Sequence, residues 1–366
     1  MQRDKKIAIE RDQRISYNTL VSFITPVIAV ILALISGAIF MLIIGSDPLH
    51  AYKVLWLSSF GSLQDMAETL VNTTPLIFTG LAVAFAFRTG LFNIGGDGQF
   101  LFAYMATAWI GYAIKLPAII HIPLCLIVGI IAGGLWAGVA GYLKATLGVH
   151  EVITTIMMNY ISLYLVGYIV GGPLKKPGQL PATYKIHDSA KLLKLLPPSR
   201  LNTSFLIALL AALFIYYILW KTTIGYEIRS VGLNADAARY GGISVAKNMI
   251  LAMFISGAMA GLAGASQVMG LEYRAYQPFG FIGYGFTGIA VALLGKNHPF
   301  GVVLGALLFG VLSRGAMQMQ SLAGVPKEVI EIIQALIIIF IASEYIFKLY
   351  ARRFRKQEGG ITGVIK

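Results

Sequence analysis

Two carboxylates stand at the edges of long apolar runs. Asp97 lies in the stretch Phe92-Asn93-Ile94-Gly95-Gly96-Asp97-Gly98-Gln99, with Asn93 and Gln99 as amide neighbours, and Glu151 opens a second run in which Asn159 follows eight positions later. That spacing is about two helical turns, so Glu151 and Asn159 would share a face and could look into one lumen. Ionisable groups in such surroundings are costly and are functional suspects by default. The chemistry they offer is hydrogen bonding and charge pairing with something polar. Capping of helices, or bonding between neighbouring helices, would use the same residues.

Covalent chemistry finds no support. The phosphate-binding pattern Gly-x4-Gly-Lys-Ser/Thr is absent, so no P-loop nucleotide site is expected. Gly283-Tyr-Gly-Phe-Thr-Gly288 matches the dinucleotide fingerprint, but that pattern needs a preceding strand, and here it falls in an apolar run. His150-Glu151 begins like a zinc-protease helix, yet position 154 is Thr where a second His is required. The five histidines have no metal-ligand spacing. No Gly-x-Ser-x-Gly elbow or Cys/His pairing points to hydrolysis. The chain is not expected to be an enzyme, and no metal is expected.

The elements that must position these residues follow from composition. The chain has 366 residues, 57% hydrophobic and 12% charged; soluble domains average about 25% charged. Too few charges are present to coat a water-soluble surface, so the chain belongs in a bilayer. Its apolar runs are continuous over about 20 residues rather than alternating over about 10, which selects helices over a β-barrel. The fold class is therefore all-α: a polytopic membrane protein of about ten helices, near 24–45, 69–87, 98–114, 121–143, 151–172, 202–220, 248–270, 281–295, 299–313 and 327–348. The runs 281–295 and 299–313 are short for a crossing and are expected to be broken or buried helices.

Domain organisation follows: a cytoplasmic segment 1–23, a membrane domain 24–348 and a basic cytoplasmic tail 349–366. Ten crossings put both termini on one side. Arg3, Lys5, Lys6, Arg11 and Arg14 at the start, with Arg352, Arg353, Arg355, Lys356 and Lys366 at the finish, assign that side to the cytoplasm. The loop 221–247 then falls inside and 173–201 outside, although the latter holds Lys175, Lys176, Lys185, Lys191, Lys194 and Arg200; either the span count is off by one beside it, or this is a basic external docking face, which suits an acidic soluble partner and agrees with the two basic termini. The net charge of +13 fits cytoplasmic loop bias, and no nucleic-acid partner is expected, because no basic stretch is interleaved with aromatics. The residues before the first apolar run do not resemble a cleaved signal peptide. The lone Cys125 excludes an internal disulfide.

Forty glycines are more than the average of about 7% would give. Gly129-x3-Gly133, Gly134-x3-Gly138, Gly257-x3-Gly261 and Gly301-x3-Gly305 have the spacing of close helix packing. The Gly-rich interruptions at 92–99 and around 279–288 and 295–299 suggest broken helices in corresponding halves, a pointer to a transport path. Tyr273, Tyr276, Phe279, Phe281, Tyr284 and Phe286 beside the second interruption are candidate contacts for an aromatic solute, although such residues also gather at membrane interfaces. In the inner loop, Asn234 is placed to cap a short helix from Ala235 to Tyr240, with Gly241 to end it. A capped, exposed helix between two spans suits a docking knob.

Three stretches resemble the signatures of nucleoside and simple-sugar ABC importer permeases, relatives of the ribose and branched-chain amino acid permeases. They are Phe87-Arg-Thr-Gly-Leu-Phe-Asn-Ile-Gly95 with Asp97-Gly-Gln99, Glu151-Val-Ile-Thr-Thr-Ile-Met-Met-Asn-Tyr160, and Arg229 through Gly232, Asn234, Ala237-Ala238-Arg239 and Gly241 to Ile243. The nearest branch is the one used with basic-membrane-type nucleoside-binding lipoproteins. It usually has Glu before Gly-Gln, where Asp97 keeps the charge on a shorter arm.

The resemblance implies a permease subunit of a bacterial cell-membrane importer for nucleosides or a related small polar solute. It places Asn93, Gly95, Gly96, Asp97, Gln99, Glu151 and Asn159 along the substrate pathway. Arg229, Gly232, Asn234, Ala237, Ala238, Arg239, Gly241 and Ile243 would couple to ABC ATPase subunits. Further implied partners are a second permease subunit, identical or related, an extracellular substrate-binding lipoprotein and membrane lipid. No cofactor is expected on this chain, since ATP and Mg would sit on the ATPase. A simple-sugar importer, an ion-coupled secondary transporter and a passive channel are the alternatives.

Overall fold

The computed structural model describes residues 26–341 and 343; the basic terminal residues that orient the chain by sequence lie outside them. Among the described residues the structure is helix and connecting loop. No strand forms beyond the isolated bridges Ala182 to Tyr276 and Lys194 to Asn202.

Among the described residues, seven helices are long and apolar enough to cross a membrane. They are α1 (Pro26–Ile43), α3 (Leu63–Arg88), α5 (Ala118–Leu147), α6 (Glu151–Gly171), α7 (Ser204–Lys221), α10 (Val245–Gln267), extended by a π-turn at Val268–Glu272, and α12 (Pro299–Leu322). Between them lie α2 (Pro48–Phe60), α4 (Gly96–Ala113), α8 (Thr223–Leu233), α9 (Ala235–Tyr240) and α11 (Tyr284–Leu294), and α13 begins at 328.

Three of the ten sequence-derived crossings fall short of that measure, for separate reasons. The 18 residues of α4 open on Gly96, Asp97, Gly98 and Gln99, which dilute its apolarity. At 11 residues α11 reaches only about 16 Å, and α13 runs to the edge of the described residues. The expectation that 299–313 is a short helix is corrected: α12 has 24 residues. Arg314 lies inside it with a guanidinium nitrogen 3.5 Å from Asp65 Oδ1, so a charge that marks a span end in the sequence is paired within the helix. The helix α2 has no counterpart in the sequence reading.

The described residues divide into two compact units, 26–54 with 316–341 and 343, and Leu55–Gly315. In the first, Tyr52 donates to the Leu34 carbonyl at 2.5 Å, and the bare Gly37 lets Ile333 lie on the α1 backbone.

The second unit is organised around α10, which packs on α3, α4 and α5. Its crossing with α5 is the small-residue contact expected from the glycine spacing. A Cβ on Gly257 would fall 2.2 Å from the Gly133 carbonyl oxygen, and one on Gly261 2.1 Å from that of Gly129. Membrane helices gain little from hydrophobic association, so this close approach is what holds the pair. Gly257→Val is expected to lower the thermal midpoint of the detergent-solubilised protein sharply. Overpacking typically costs about 1–3 kcal/mol, and here the obstacle is backbone that cannot rotate away; an unchanged midpoint would contradict the packing. Buried threonines of α3 satisfy their hydroxyls locally, Thr73, Thr74 and Thr79 donating to carbonyls four residues back at 2.8 to 3.0 Å.

Candidate functional site

The first glycine-rich interruption is where α3 ends and α4 begins. Gly90, at φ +77, turns the chain, and Thr89 to Gly95 runs without helix before α4 starts. Contacts on both flanks set that course. Asn93 Nδ2 donates to Ser256 Oγ on α10 at 2.8 Å, and that hydroxyl donates to the Ala82 carbonyl on α3 at 2.6 Å. A non-helical stretch buried between helices must satisfy its polar groups within the protein.

It does so through side-chain amides. Asn93 and Gln99 form a reciprocal pair, Asn93 Nδ2 to Gln99 Oε1 at 3.0 Å and Gln99 Nε2 to Asn93 Oδ1 at 2.9 Å, while Gly95 N also donates to Asn93 Oδ1. From α6, Asn159 accepts from Gly98 N at 2.8 Å and donates to the Ile94 carbonyl at 2.9 Å, and Ser162 donates to the Gly98 carbonyl at 2.7 Å. One of the orphan N–H groups that a helix start leaves open, that of Gly98, is thus closed by a neighbouring helix. Asn93, Gln99, Asn159, Ser162 and Ser256 are all buried.

Asp97 joins the two interruptions. Its Oδ1 accepts from Gly283 N at 3.1 Å and Gly285 N at 3.2 Å, and its Oδ2 from Phe286 N at 3.2 Å. A carboxylate buried at 2% exposure is tolerated there because the positive end of α11 and three backbone donors face it. Gly96 and Gly285 bring the two helix starts together: a Cβ on Gly96 would lie 3.0 Å from the Gly285 Cα, and one on Gly285 2.4 Å from Asp97 N.

Glu151 is placed differently. It lies in the first turn of α6 and pairs with Lys144, in the last turn of α5, at 2.8 Å, each charge set against the favourable end of its helix. It shares the buried face of α6 with Thr155, which stands beside Gly95, and with Asn159. The pair therefore divides: Asn159 is bound to the α4 start, and Glu151 to the α5–α6 turn.

The inner-loop residues form a helical pair. Asn234 accepts from Asp236 N at 3.0 Å and Ala237 N at 2.9 Å, the expected N-cap of α9. Gly241 is the C-cap, and the left-handed residue is Gly242 at φ +81, with Ile243 N returning to the Ala238 carbonyl and Gly242 N to that of Arg239. Val231, Ala238 and Val245 form a small apolar core with Ile243 and Met249, and Asn248 Nδ2 donates to Glu227 at 2.8 Å. Leu233 and Tyr240 are left almost fully exposed, and Arg239 makes only a long surface pair with Asp236 at 3.8 Å. Asn234→Ala is expected to cost about 1 kcal/mol and to speed amide exchange in α9 selectively; uniform protection would show that the cap is not what holds the helix.

Gly232 presses α8 on the end of α3. A Cβ there would fall 2.2 Å from the Arg88 carbonyl oxygen, and the Gly90 position faces Gly232 Cα. Arg88 in turn donates from Nε to the Asn297 carbonyl at 3.0 Å and from Nη2 to that of Lys296 at 3.4 Å, both residues having positive φ in the turn between α11 and α12. Trp220 lies under Arg88 at 5.2 Å and Arg229 at 5.9 Å, and packs on Tyr216 and His298. Burial, helped by the Arg88 charge, holds the His298 imidazole below its usual range, which suits a neutral ring in that stack. Arg229 also donates to the Gly225 carbonyl at 3.2 Å. One cluster thus links the α8–α9 pair to the ends of both α3 and α11.

Sequence reasoning did not single out Ser256, Ser162, Arg88, Trp220 or His298 as site residues. Serine in a long apolar run and a lone Trp carry little signal; the available one was Arg88 at the end of a 26-residue helix, a charge that needed partners.

The segment 173–201 is tied down at several points. Thr183 N donates to the Ala275 carbonyl, Ile186 N to that of Tyr273 and His187 N to that of Gly111, while Arg200 grips Glu68 of α3 with its side chain at 2.7 and 3.1 Å. Lys175, Lys176, Lys185 and Lys194 are exposed. Lys191 packs over Tyr273 at 5.0 Å, and its hydrogen bond holds Asp188 below the usual carboxylate range. Of the aromatics near the second interruption, Tyr284 packs edge-on against Phe100, Phe281 edge-on against Tyr160, and Tyr276, Phe279 and Phe286 are exposed. Among the described residues no cluster of metal-binding side chains occurs.

Comparison with known proteins accounts for the arrangement. A family model described as the permease component of branched-chain amino acid transport systems matches residues 66–342. The chain is 47% identical over 340 residues to the guanosine ABC transporter permease protein NupP of Bacillus subtilis, covering 91% of this chain and 97% of the relative. It is 38% identical to the nucleoside ABC transporter permease protein NupB of Lactococcus lactis, over 89% of this chain and 92% of the relative. The glucose ABC transporter permease protein TsgB13 of Haloferax volcanii is 34% identical, over 94% and 93%. Permeases of this type work with an ATPase and a binding protein and are transport subunits rather than enzymes. The chain, a membrane protein with several spanning helices, belongs to the ABC importer permease family.

Proposed function

We propose that this chain imports nucleosides, as the membrane-crossing half of a transporter powered by separate ATPase subunits. The observation that carries this reading is near-full-length identity of 47% to a guanosine permease, together with a capped, outward-presented α8–α9 pair. In this reading ten crossings place both termini in the cytoplasm of a bacterial cell, α8–α9 on the inner face, and 173–201 outside, where its exposed lysines meet a binding lipoprotein. A second permease subunit, identical or related, completes the path.

The two interruptions then act as a hinge assembly. Asn93, Gly95, Gly96, Asp97, Gln99 and Asn159 shape the path by fixing where α4 and α11 begin, and Glu151 fixes the α5–α6 turn. Leu233, Arg239 and Tyr240 contact the ATPase, and Arg229, Gly232, Asn234, Ala237, Ala238, Gly241 and Ile243 hold the knob in shape. An ATPase shifts such an assembly only through different contacts with its two states, so α8–α9 must be firmly joined to the helices it moves. Import of a simple sugar is the second reading, favoured by 34% identity to a glucose permease. Competition by a panel of nucleosides and sugars against labelled guanosine uptake in cells expressing the complete transporter tests the choice. Nucleosides are expected to compete and sugars not; the reverse order overturns the substrate assignment.

A further inference from the structure

The outward edge of α6 differs from those of α5 and α7. On α5 the exposed large side chains are Ile119, Ile120, Ile127, Ile131, Leu135 and Val139, and a Tyr appears only at 142, in the last turns of a helix ending at Leu147. On α7 they are Leu206, Leu210, Leu213 and Phe214, with Tyr217 in the last turns before Lys221. That is how a helix meets hydrocarbon: aliphatic along its length and Tyr at the headgroup level.

On α6 the exposed large side chains of the first half are Ile153 and Met157; from the midpoint Ile161 is also exposed, but the edge is dominated by Tyr160, Tyr164 and Tyr168, exposed at 47%, 72% and 71%. Spaced four apart, they stand on one face over about 12 Å of helix, a span that the headgroup level alone cannot accommodate. Tyr160 is the tenth residue of 21, at the middle of the helix. None of the three phenol hydroxyls has a hydrogen-bond partner among the described residues. A hydroxyl left in hydrocarbon without a partner is strongly disfavoured, so this edge calls for water, a polar solute or the polar groups of another subunit. Beside it, Phe281 packs edge-on against Tyr160 at 5.3 Å, and Phe279 is exposed. Rings with free hydroxyls, stepped along a helix and flanked by further rings, suit a planar heteroaromatic that stacks through its face and bonds through its rim.

We propose that the Tyr160, Tyr164 and Tyr168 edge of α6, with Phe281 beside it, is the wall of the solute path in this chain and stacks on the base of the nucleoside in transit. This rests on the nucleoside-import reading above, while the placement of the path is separate from it. The lone Cys125 is fully buried, so single cysteines can be read against a silent Cys125→Ala background. Tyr160→Cys, Tyr164→Cys and Tyr168→Cys, with the lipid-type controls Leu135→Cys and Leu210→Cys, would be treated with a charged, membrane-impermeant methanethiosulfonate in the complete complex in proteoliposomes. The tyrosine positions are expected to react at least tenfold faster than the controls, and guanosine to slow them. In uptake, Tyr164→Ala is expected to raise the half-saturating guanosine concentration severalfold, and Tyr164→Phe, which keeps the ring, far less.

If the cysteines react no faster than the controls while guanosine is imported, this edge faces lipid or a sealed subunit contact and the proposal is overturned. If they react quickly but guanosine neither slows them nor is imported, the path placement stands, while the stacking on a base is overturned together with the substrate reading.

Discussion

Asp97→Ala is expected to abolish most nucleoside uptake and to destabilise the protein. The side chain is the acceptor for three backbone N–H groups at the start of α11, and a buried donor left without a partner costs about 1–3 kcal/mol. Alanine supplies no side-chain acceptor in its place, and Gly96 and Gly285 pack the two helix starts closely around the site. Asp97→Asn keeps one acceptor oxygen but turns an amide N–H₂ toward a backbone N–H, so it should fall between the alanine variant and the parent. Asp97→Glu retains the charge and should keep measurable uptake. Thermal unfolding in detergent and uptake in proteoliposomes check the series together. Full uptake by Asp97→Ala would show that α11 is held by something else.

Gly232→Val is expected to separate ATP hydrolysis from transport. The new Cβ would fall 2.2 Å from the Arg88 carbonyl oxygen and 2.9 Å from its carbon, well inside the 3.5–4.0 Å of an ordinary contact. Both obstacles are backbone, so α8 must move away from α3 by more than an ångström. That opens the joint through which the α8–α9 pair bears on the end of α3 and, by way of Arg88, on the turn after α11. Because the apolar core of Val231, Ala238 and Val245 is untouched, the knob should still fold and engage its partner. ATP hydrolysis by the assembled complex should persist while uptake falls at least roughly tenfold, a loss equal to about 1.4 kcal/mol of coupling. Gly232→Ala should give a smaller defect of the same kind, and normal uptake by Gly232→Val would remove this joint from the mechanism.

Much of this was legible in the residues themselves. Continuous apolar runs located the long helices because a bilayer leaves little choice of structure, and the Asn234 cap was found because capping is local chemistry between residues three apart. The glycine pairs of α5 and α10 announced a close crossing but not which helices would meet. What stayed hidden was long-range. Asp97 was visible as a misplaced charge, yet nothing in the sequence says that its partners are backbone groups 186 to 189 positions away. Arg314 and Asp65 look like two separate span boundaries until their pairing shows that α12 continues through the charge. Glu151 and Asn159 share a face as their spacing requires, but the spacing cannot tell that a lysine on the preceding helix claims one of them. The tyrosines of α6 look like ordinary span residues until their exposure is set beside that of α5 and α7.

The central claim is that this chain is a pore half that draws its power from a separate ATPase. Its most direct test is guanosine accumulation in proteoliposomes containing this permease, its companion permease if distinct, the ATPase subunits and the binding protein. Accumulation is expected only with enclosed hydrolysable ATP, unaffected by collapsing proton and sodium gradients. Accumulation driven by an ion gradient, by this chain alone and without ATP, would contradict the account.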